Sequence, residues 1–190
     1  MLKRIFDLLF SVIGFIVLGP LMIVSVLIAA IDTNTNGLFL QTRIGQFGKP
    51  FTIYKLRTIH PNTNKISNSG AFLRRFKLDE LPQLLNVLQG TMSIVGPRPD
   101  IAGYYDALQG EERLVLNLKP GLTSLAAIKY ANEEALLAQQ NNPLKYNNDV
   151  LFPDKVQMNL DYYYHHSFWG DIKIIWMTFL LGVGLYSYKE

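Results

Sequence analysis

The longest apolar run in the chain comes first. From Leu8 to Ile31 no residue is charged, and about 24 helical residues extend roughly 36 Å, enough to span a bilayer. The run is too long for the apolar centre of a cleaved signal peptide. Gly19-Pro20 stands near its middle. Proline inside a helix removes a backbone bond and costs about 3 kcal/mol, so the pair predicts a bend or a break. Two topologies follow: a kinked single span, or a helix-break-helix that returns to the face it left. Lys3 and Arg4 precede the run, and Arg43 and Lys49 follow it. Basic residues on both sides give no preference for opposite faces, which favours a re-entrant segment over 1–32, broken at Gly19 and Pro20.

Beyond Asp32 the periods shorten. Thr33–Gly37 is a polar turn. Alternating residues at Leu38–Arg43 and Phe51–Arg57, around turn-rich Gly45–Pro50, predict a β-hairpin with Phe51, Ile53, Lys55 and Arg57 on one face. His60–Ser69 is polar and long enough to form a flap. Leu81, Leu84, Leu85 and Leu88 recur at helical spacing, with Asp79 at the N-cap position, Pro82 in the first turn and Gly90 at the end. Ser93–Val95 is a short buried stretch, and Gly96-Pro97-Arg98-Pro99 is a stiff turn that presents Arg98.

Helices are expected over Asp100–Gln109, Glu111–Asn117, Glu133–Gln140 and Asp154–His166, a small strand over Leu125–Ile128, and a polar loop over Asn141–Asp149. The tail Ile172–Tyr188, with Trp169, Trp176, Tyr186 and Tyr188, suits an interfacial amphipathic helix better than a span. The expected fold is mixed α/β of the α+β kind, mainly helical with a short β-hairpin. Residues 1–32 form the membrane segment and 33–190 a catalytic domain.

Composition narrows the chemistry. Hydrophobic residues make up 49% of the chain, high for a soluble protein and low for a polytopic one. There is no cysteine, which excludes disulfides and thiolate metal sites. A net charge of +3 suits an anionic membrane surface or a polyphosphate ligand, and no nucleic-acid partner is expected. His165 and His166 are adjacent, and neighbouring helical positions point about 100° apart, so they make no metal pair. Asp79-Glu80, with Arg74, Arg75 and Lys77 just upstream, puts carboxylates and cations at a helix start, where phosphate, metal and nucleophile can meet. Taken alone, the same residues read first as an acidic turn capping a core helix.

Several motifs occur in one order: the N-terminal apolar hairpin, Gln41-Thr42-Arg43-Ile44-Gly45, Tyr54-Lys55-Leu56-Arg57-Thr58, Leu78-Asp79-Glu80-Leu81-Pro82-Gln83, Ser93-Ile94-Val95-Gly96-Pro97-Arg98-Pro99, and Lys119-Pro120-Gly121-Leu122-Thr123. The ordered set closely resembles the bacterial sugar transferase family, the monotopic polyprenyl-phosphate phosphoglycosyl transferases, over essentially the whole chain. The resemblance implies a catalytic dyad in which Asp79 is the nucleophile that takes a phosphosugar covalently. Glu80 would bind Mg2+ (or Mn2+), with Asp79 beside it, and assist proton transfer. Arg74 and Arg98 match phosphate-binding positions and Lys55 a basic motif position; Arg75 and Arg57 are grouped with them.

The reaction implied is transfer of sugar-1-phosphate from a nucleotide diphosphosugar, such as a UDP-sugar, to polyprenyl (undecaprenyl) phosphate. It would initiate a capsule, exopolysaccharide, O-antigen or glycoprotein glycan at the cytoplasmic face of the bacterial inner membrane. The expected partners are therefore the donor, the lipid phosphate and the bilayer, with a homodimer left open. Three positions depart from the family pattern: Lys77 replaces a usual Ser, Ser124 a usual Gly, and Ala131 an Arg that helps hold the donor. Two other readings stand beside this one: a membrane-bound phosphatase or pyrophosphatase with water as acceptor, and a degenerate membrane scaffold.

Overall fold

The computed structural model describes residues 2–188. Its chain forms two compact units, one of residues 1–43 and 50–94, the other of 44–49 and 95–190. This division by packing differs from the membrane and catalytic segments drawn from the sequence, because the apolar helix packs as part of the first unit.

That helix, α1, runs from Leu2 to Thr33 with Pro20 inside it. The helix thus does not end at Gly19-Pro20, although a proline inside a helix can bend it without ending it. One missing backbone bond is a small loss beside the cooperative bonding of the turns on either side. α1 is amphipathic in an inverted sense. Its buried residues are Asp7, Ser11, Ser25, Ala29 and Thr33, small or polar, whereas Leu9, Ile13, Ile16, Val17, Ile23, Leu27 and Ile31 face outward. The helix is long and apolar enough to cross a membrane, and only 11% of its most apolar window is buried within the protein. An apolar face left bare on this scale asks for an apolar solvent.

Both ends of α1 are held by the first unit. Near the start, the Arg4 guanidinium donates to the Val87 and Leu88 carbonyls at 2.5 and 2.8 Å. The Asp7 carboxylate accepts from Ser93 Oγ and from the Ile94 N–H, both at 3.0 Å. Near the other end, Ala29 packs with Leu56 and Leu73, and Ser67 Oγ donates to Asp32 at 2.6 Å. Gly37 then turns the chain at φ +76°; a Cβ there would meet the Val26 carbonyl at 2.6 Å, so only glycine fits.

The expected hairpin forms from β1 (Leu38–Ile44) and β2 (Pro50–Leu56). After it, Ile59 bridges Ile66 and His60 pairs with Lys65, so the anticipated flap is a small closed turn. Ser67 caps α2 (Asn68–Arg75) by accepting from the Gly70 N–H. A 3₁₀ segment, Leu78–Gln83, runs directly into α3 (Leu84–Gln89), which ends at Gly90 in the left-handed conformation. The unit ends at Ile94, within strand β3 (Ser93–Val95).

The second unit has its own core: Ile44, Tyr105, Leu108, Val115 and Leu116 against Val156 and Leu160. Its chain carries β4 (Gly121–Thr123), α4 (Leu125–Lys129), α5 (Glu133–Ala138), α6 (Pro143–Tyr146), α7 (Phe152–His165) and α8 (Phe168–Gly182). The strand expected at Leu125–Ile128 is the helix α4 instead, because Ser124 accepts from the Ala127 N–H and caps it. The helices expected at 100–117 are tight 3₁₀ turns over Tyr105–Ala107 and Gly110–Asn117. Within the loop expected after α5 lie α6, capped by Asn142, and a π-turn at Asn147–Leu151. On α8, Trp169, Trp176 and Phe179 are exposed.

The Arg98 turn is fixed by two backbones in contact. Gly96 donates to the Thr123 carbonyl at 3.0 Å, and Gly121 donates to the Pro97 carbonyl at 2.8 Å. A Cβ on Gly121 would lie 2.1 Å from the Gly96 nitrogen, with no flexible side chain to yield. Gly121→Ala is therefore expected to destabilise the protein by about 3 kcal/mol or more. Chemical denaturation of the membrane-extracted protein measures this, and a loss under 1 kcal/mol would contradict the packing described.

Candidate active site

The chain around Asp79 is shaped by the end of one helix and the start of another. Phe76 and Lys77 donate back to Phe72 and Arg74, which closes α2. Lys77 then takes a left-handed conformation, φ +55°, a strained choice for a residue with a Cβ. It turns the chain into the 3₁₀ segment and occupies the N-cap position expected for Asp79. Asp79 and Glu80 therefore sit together inside the first tight turn. The buried side of the segment also differs from the leucine pattern: Gln83, Leu84, Asn86 and Val87 face inward, and Leu85 is 40% exposed.

Asn86 explains that rotation. Its Nδ2 donates to the Thr52 carbonyl at 2.7 Å, and its Oδ1 accepts from the Tyr54 N–H at 3.1 Å. The side chain is fully buried and fastens β2 to the segment that carries the dyad. Lys55, the next residue on β2, then reaches Glu80 with Nζ to Oε1 at 3.1 Å, both side chains largely buried. Sequence reasoning missed Asn86. Its signal was a lone amide among Leu84, Leu85, Val87 and Leu88, where an interior amide needs partners.

Asp79 is different in kind. Its Oδ1 is buried and has no hydrogen-bond partner. Burial, followed by the neighbouring Glu80 carboxylate, holds its pKa above the ordinary carboxylate value, while Lys55, Lys77 and Arg74 pull it back down. A buried, unpartnered carboxylate oxygen amid cations is no cap, and it marks Asp79 as a candidate functional residue.

The structure thus groups Asp79, Glu80, Lys55 and Arg74 in the first unit, with Lys77 added. Arg75 lies on the same helix, its guanidinium 5.7 Å from the Phe76 ring centre. Arg57 turns onto Phe39 at 5.2 Å, with its Nε buried and unpartnered. Arg98 stands exposed in the second unit, on the turn built by Gly96 and Gly121. His165 and His166 are exposed, and each ring contacts a carbonyl of its own helix. Beside Ala131, Asp154 accepts from Tyr130 at 2.7 Å and pairs with Lys129 at 3.0 Å, and Lys155 pairs with Glu133 at 2.6 Å.

No group of three acidic or histidine side chains able to enclose a metal occurs among the described residues. The dyad nevertheless fits a divalent cation of the Mg2+ type. It offers carboxylate oxygens, one of them unsatisfied, and such an ion takes the rest of its shell from water and phosphate.

The family model for bacterial sugar transferases matches residues 1–184. The chain belongs to that family. It is 32% identical over 191 residues to the UDP-glucose:undecaprenyl-phosphate glucose-1-phosphate transferase of Caulobacter vibrioides, covering 93% of this chain and 67% of the relative. The protein of the same name in Escherichia coli K12 is 32% identical over 198 residues, covering 96% of this chain and 40% of the relative. The undecaprenyl-phosphate glucose phosphotransferase of Komagataeibacter xylinus is 32% identical over 195 residues, covering 93% and 35%. This sugar transferase thus corresponds to a part of the two longer relatives. These enzymes, named as sugar-1-phosphate transferases or phosphotransferases, match 93–96% of its chain.

In the sugar transferase the raised pKa of Asp79 has a consequence for stability. The favourable contribution of its neutral form is complete below the unfolded-state value and is lost as pH rises through the higher folded-state value. At neutral pH the buried ionised group therefore weighs against folding. Asp79→Asn is expected to melt at or above the wild-type temperature at pH 7, with the advantage shrinking as pH falls through the raised Asp79 pKa and gone below about pH 4. Thermal denaturation across that range tests this; a variant clearly less stable at pH 7 would mean the carboxylate has a stabilising partner.

Proposed function

We propose that the protein transfers sugar-1-phosphate from a nucleotide diphosphosugar to a polyprenyl phosphate through a covalent intermediate on Asp79. The Asp79 carboxylate attacks the sugar-bearing phosphorus, the phosphoanhydride bond breaks, and nucleoside monophosphate leaves. A phosphate oxygen of the polyprenyl phosphate then attacks the same phosphorus. The bond to Asp79 breaks, regenerating the carboxylate and releasing polyprenyl diphosphosugar. The observation that carries this reading is the buried Asp79 oxygen without a hydrogen-bond partner, since a carboxylate already bound to donors is a poor nucleophile. Lys55 and Arg74 neutralise charge as phosphate approaches, and Glu80, held by Lys55, stays beside the nucleophile. Arg75, Arg57 and Arg98 are proposed as further phosphate contacts.

Mg2+ or Mn2+ held by Glu80 and Asp79 would screen phosphate charge when bound. The family and the names of its relatives support undecaprenyl phosphate as acceptor, a UDP-sugar as donor and the initiation of a polysaccharide as the role.

The topology proposed is re-entrant. Arg4 and Asp7 at one end of α1, and Ala29 and Asp32 at the other, are bound by the same compact unit. A straight, membrane-crossing α1 would place its ends on opposite sides of the lipid, so one unit holds both only with the helix bent, and Pro20 is the residue at which a helix bends. Because nucleotide sugars are made in the cytoplasm, that shared face is the cytoplasmic one, and the exposed aromatics of α8 are proposed to rest at the same interface.

Purified protein given a nucleotide diphosphosugar alone should release one equivalent of nucleoside monophosphate, and turn over only with polyprenyl phosphate. Chelator should abolish both phases, and Asp79→Asn should show neither. The rate of the first phase should rise with pH through the elevated Asp79 pKa, since the donor diphosphate does not titrate there. Steady release without lipid phosphate would indicate a phosphatase, and an active Asp79→Asn would remove Asp79 as nucleophile.

Topology is checked separately. Single cysteines at Lys3 and Asn36 should both resist an impermeant thiol reagent in intact cells and label after the membrane is opened, with no native cysteine to interfere. Labelling of either in intact cells contradicts the shared cytoplasmic face.

A further inference from the structure

The first two turns of α1 grip the segment that carries the dyad, and neither the proposed chemistry nor the apolar character of α1 requires that grip. Leu78–Gln83 and α3 form one continuous stretch of twelve residues, with Asp79 and Glu80 at its start. At its far end the last carbonyls run out of helical partners, and the Val87 carbonyl, which takes the Gly90 N–H at 3.0 Å, has room for a second donor. The Leu88 carbonyl accepts from Arg4 Nη2 at 2.8 Å, and the Val87 carbonyl from Nη1 at 2.5 Å. A cation is favourable at this negative end, and a guanidinium reaching two adjacent carbonyls fixes direction as well as distance.

One turn along α1, Asp7 is 2% exposed and takes the Ser93 hydroxyl and the Ile94 N–H. Arg4 and Asp7 thus hold the chain on either side of the Gly90–Met92 turn. A third contact lies midway: a Cβ on Gly14 would stand 3.2 Å from Leu84 Cδ1, so the missing side chain lets Leu84 seat against α1. The β2 side of the same segment is fixed by Asn86, and α1 supplies the opposite side.

We propose that Arg4, supported by Asp7, is a positioning residue for Asp79 and Glu80. The N-terminal turns of the membrane helix set the placement of the dyad segment, and chemistry is competent only with α1 docked. The inference rests on the dyad reading above. It also gives Arg4 a task distinct from marking the cytoplasmic side.

The test uses the full chain in lipid nanodiscs containing anionic phospholipid, assayed by nucleoside monophosphate release with a panel of nucleotide diphosphosugars and polyprenyl phosphate. Arg4→Gln should lower kcat about 10- to 100-fold while both KM values stay within about twofold, as for loss of an interaction that serves the transition state. Hydrogen exchange at the amides of residues 86–92 should quicken in the same variant. Arg4→Lys, which keeps the charge and can still donate to a carbonyl, should recover most of both readouts. Leu2→Lys added to Arg4→Gln restores the N-terminal charge away from the carbonyls and should recover neither.

Wild-type kcat in Arg4→Gln, unchanged exchange at 86–92, or rescue by Leu2→Lys would each overturn the positioning role. Wild-type protein that released no nucleotide from any donor would instead overturn the functional reading on which it rests.

Discussion

Two adjacent carboxylates, one of them buried with an unsatisfied oxygen, stay side by side only when their backbone cannot relax. Burial and mutual repulsion both push Asp79 towards water or protonation. The surrounding structure opposes that tendency by holding the segment from two directions. Asn86 fastens it to β2, which also brings Lys55 onto Glu80, and α1 holds its far end and middle. The left-handed turn at Lys77 is a further cost accepted at the same place. Strain and desolvation gathered at one short segment are what a reactive site looks like, and they lie where the ordered sequence motifs meet.

Much of the fold was legible in the sequence because it obeys local rules. The hairpin follows from alternation and the turn-rich link at Gly45–Pro50, α7 follows from its periodicity, α8 overlaps the apolar, aromatic-rich tail, and Gly90 closes α3 as a C-terminal glycine should. What failed depended on partners distant in the chain. Asn86 faces inward because Thr52 and Tyr54 wait there, so the buried side is rotated from the leucine pattern: Leu84 stays inside and Leu85 turns out. Ser124 turns an apolar stretch into a helix by a capping bond that strand-like residues concealed. Pro20 sits within an unbroken helix because the penalty of one proline is local and the helix around it is long.

The candidate site was legible in a similar proportion. Lys55 pairs with Glu80 beside Asp79, a contact that the motifs do not state, and the other cations divide by task. Arg74 acts electrostatically on Asp79, whereas Arg57 and Arg75 lie over aromatic rings. A list of basic residues near a motif does not distinguish these, because stacking and ion pairing use the same side chain. The polar footing of α1 was hidden for another reason. Charges beside an apolar run read first as signals of orientation, and only the folded chain reveals that Arg4 and Asp7 have backbone partners more than eighty residues away.

That separation bears on how the molecule is made. Arg4 is synthesised 83 residues before the carbonyl it binds, which at ordinary translation speeds of 5–20 residues per second is a delay of roughly 4 to 17 s. Throughout that interval the greasy helix already exists and its footing does not. The partners of Arg4 and Asp7, residues 87–94, are made only after the whole apolar helix has been. Synthesis of the helix and the closing of its polar footing are consequently two events separated in time, and the ribosome fixes their order.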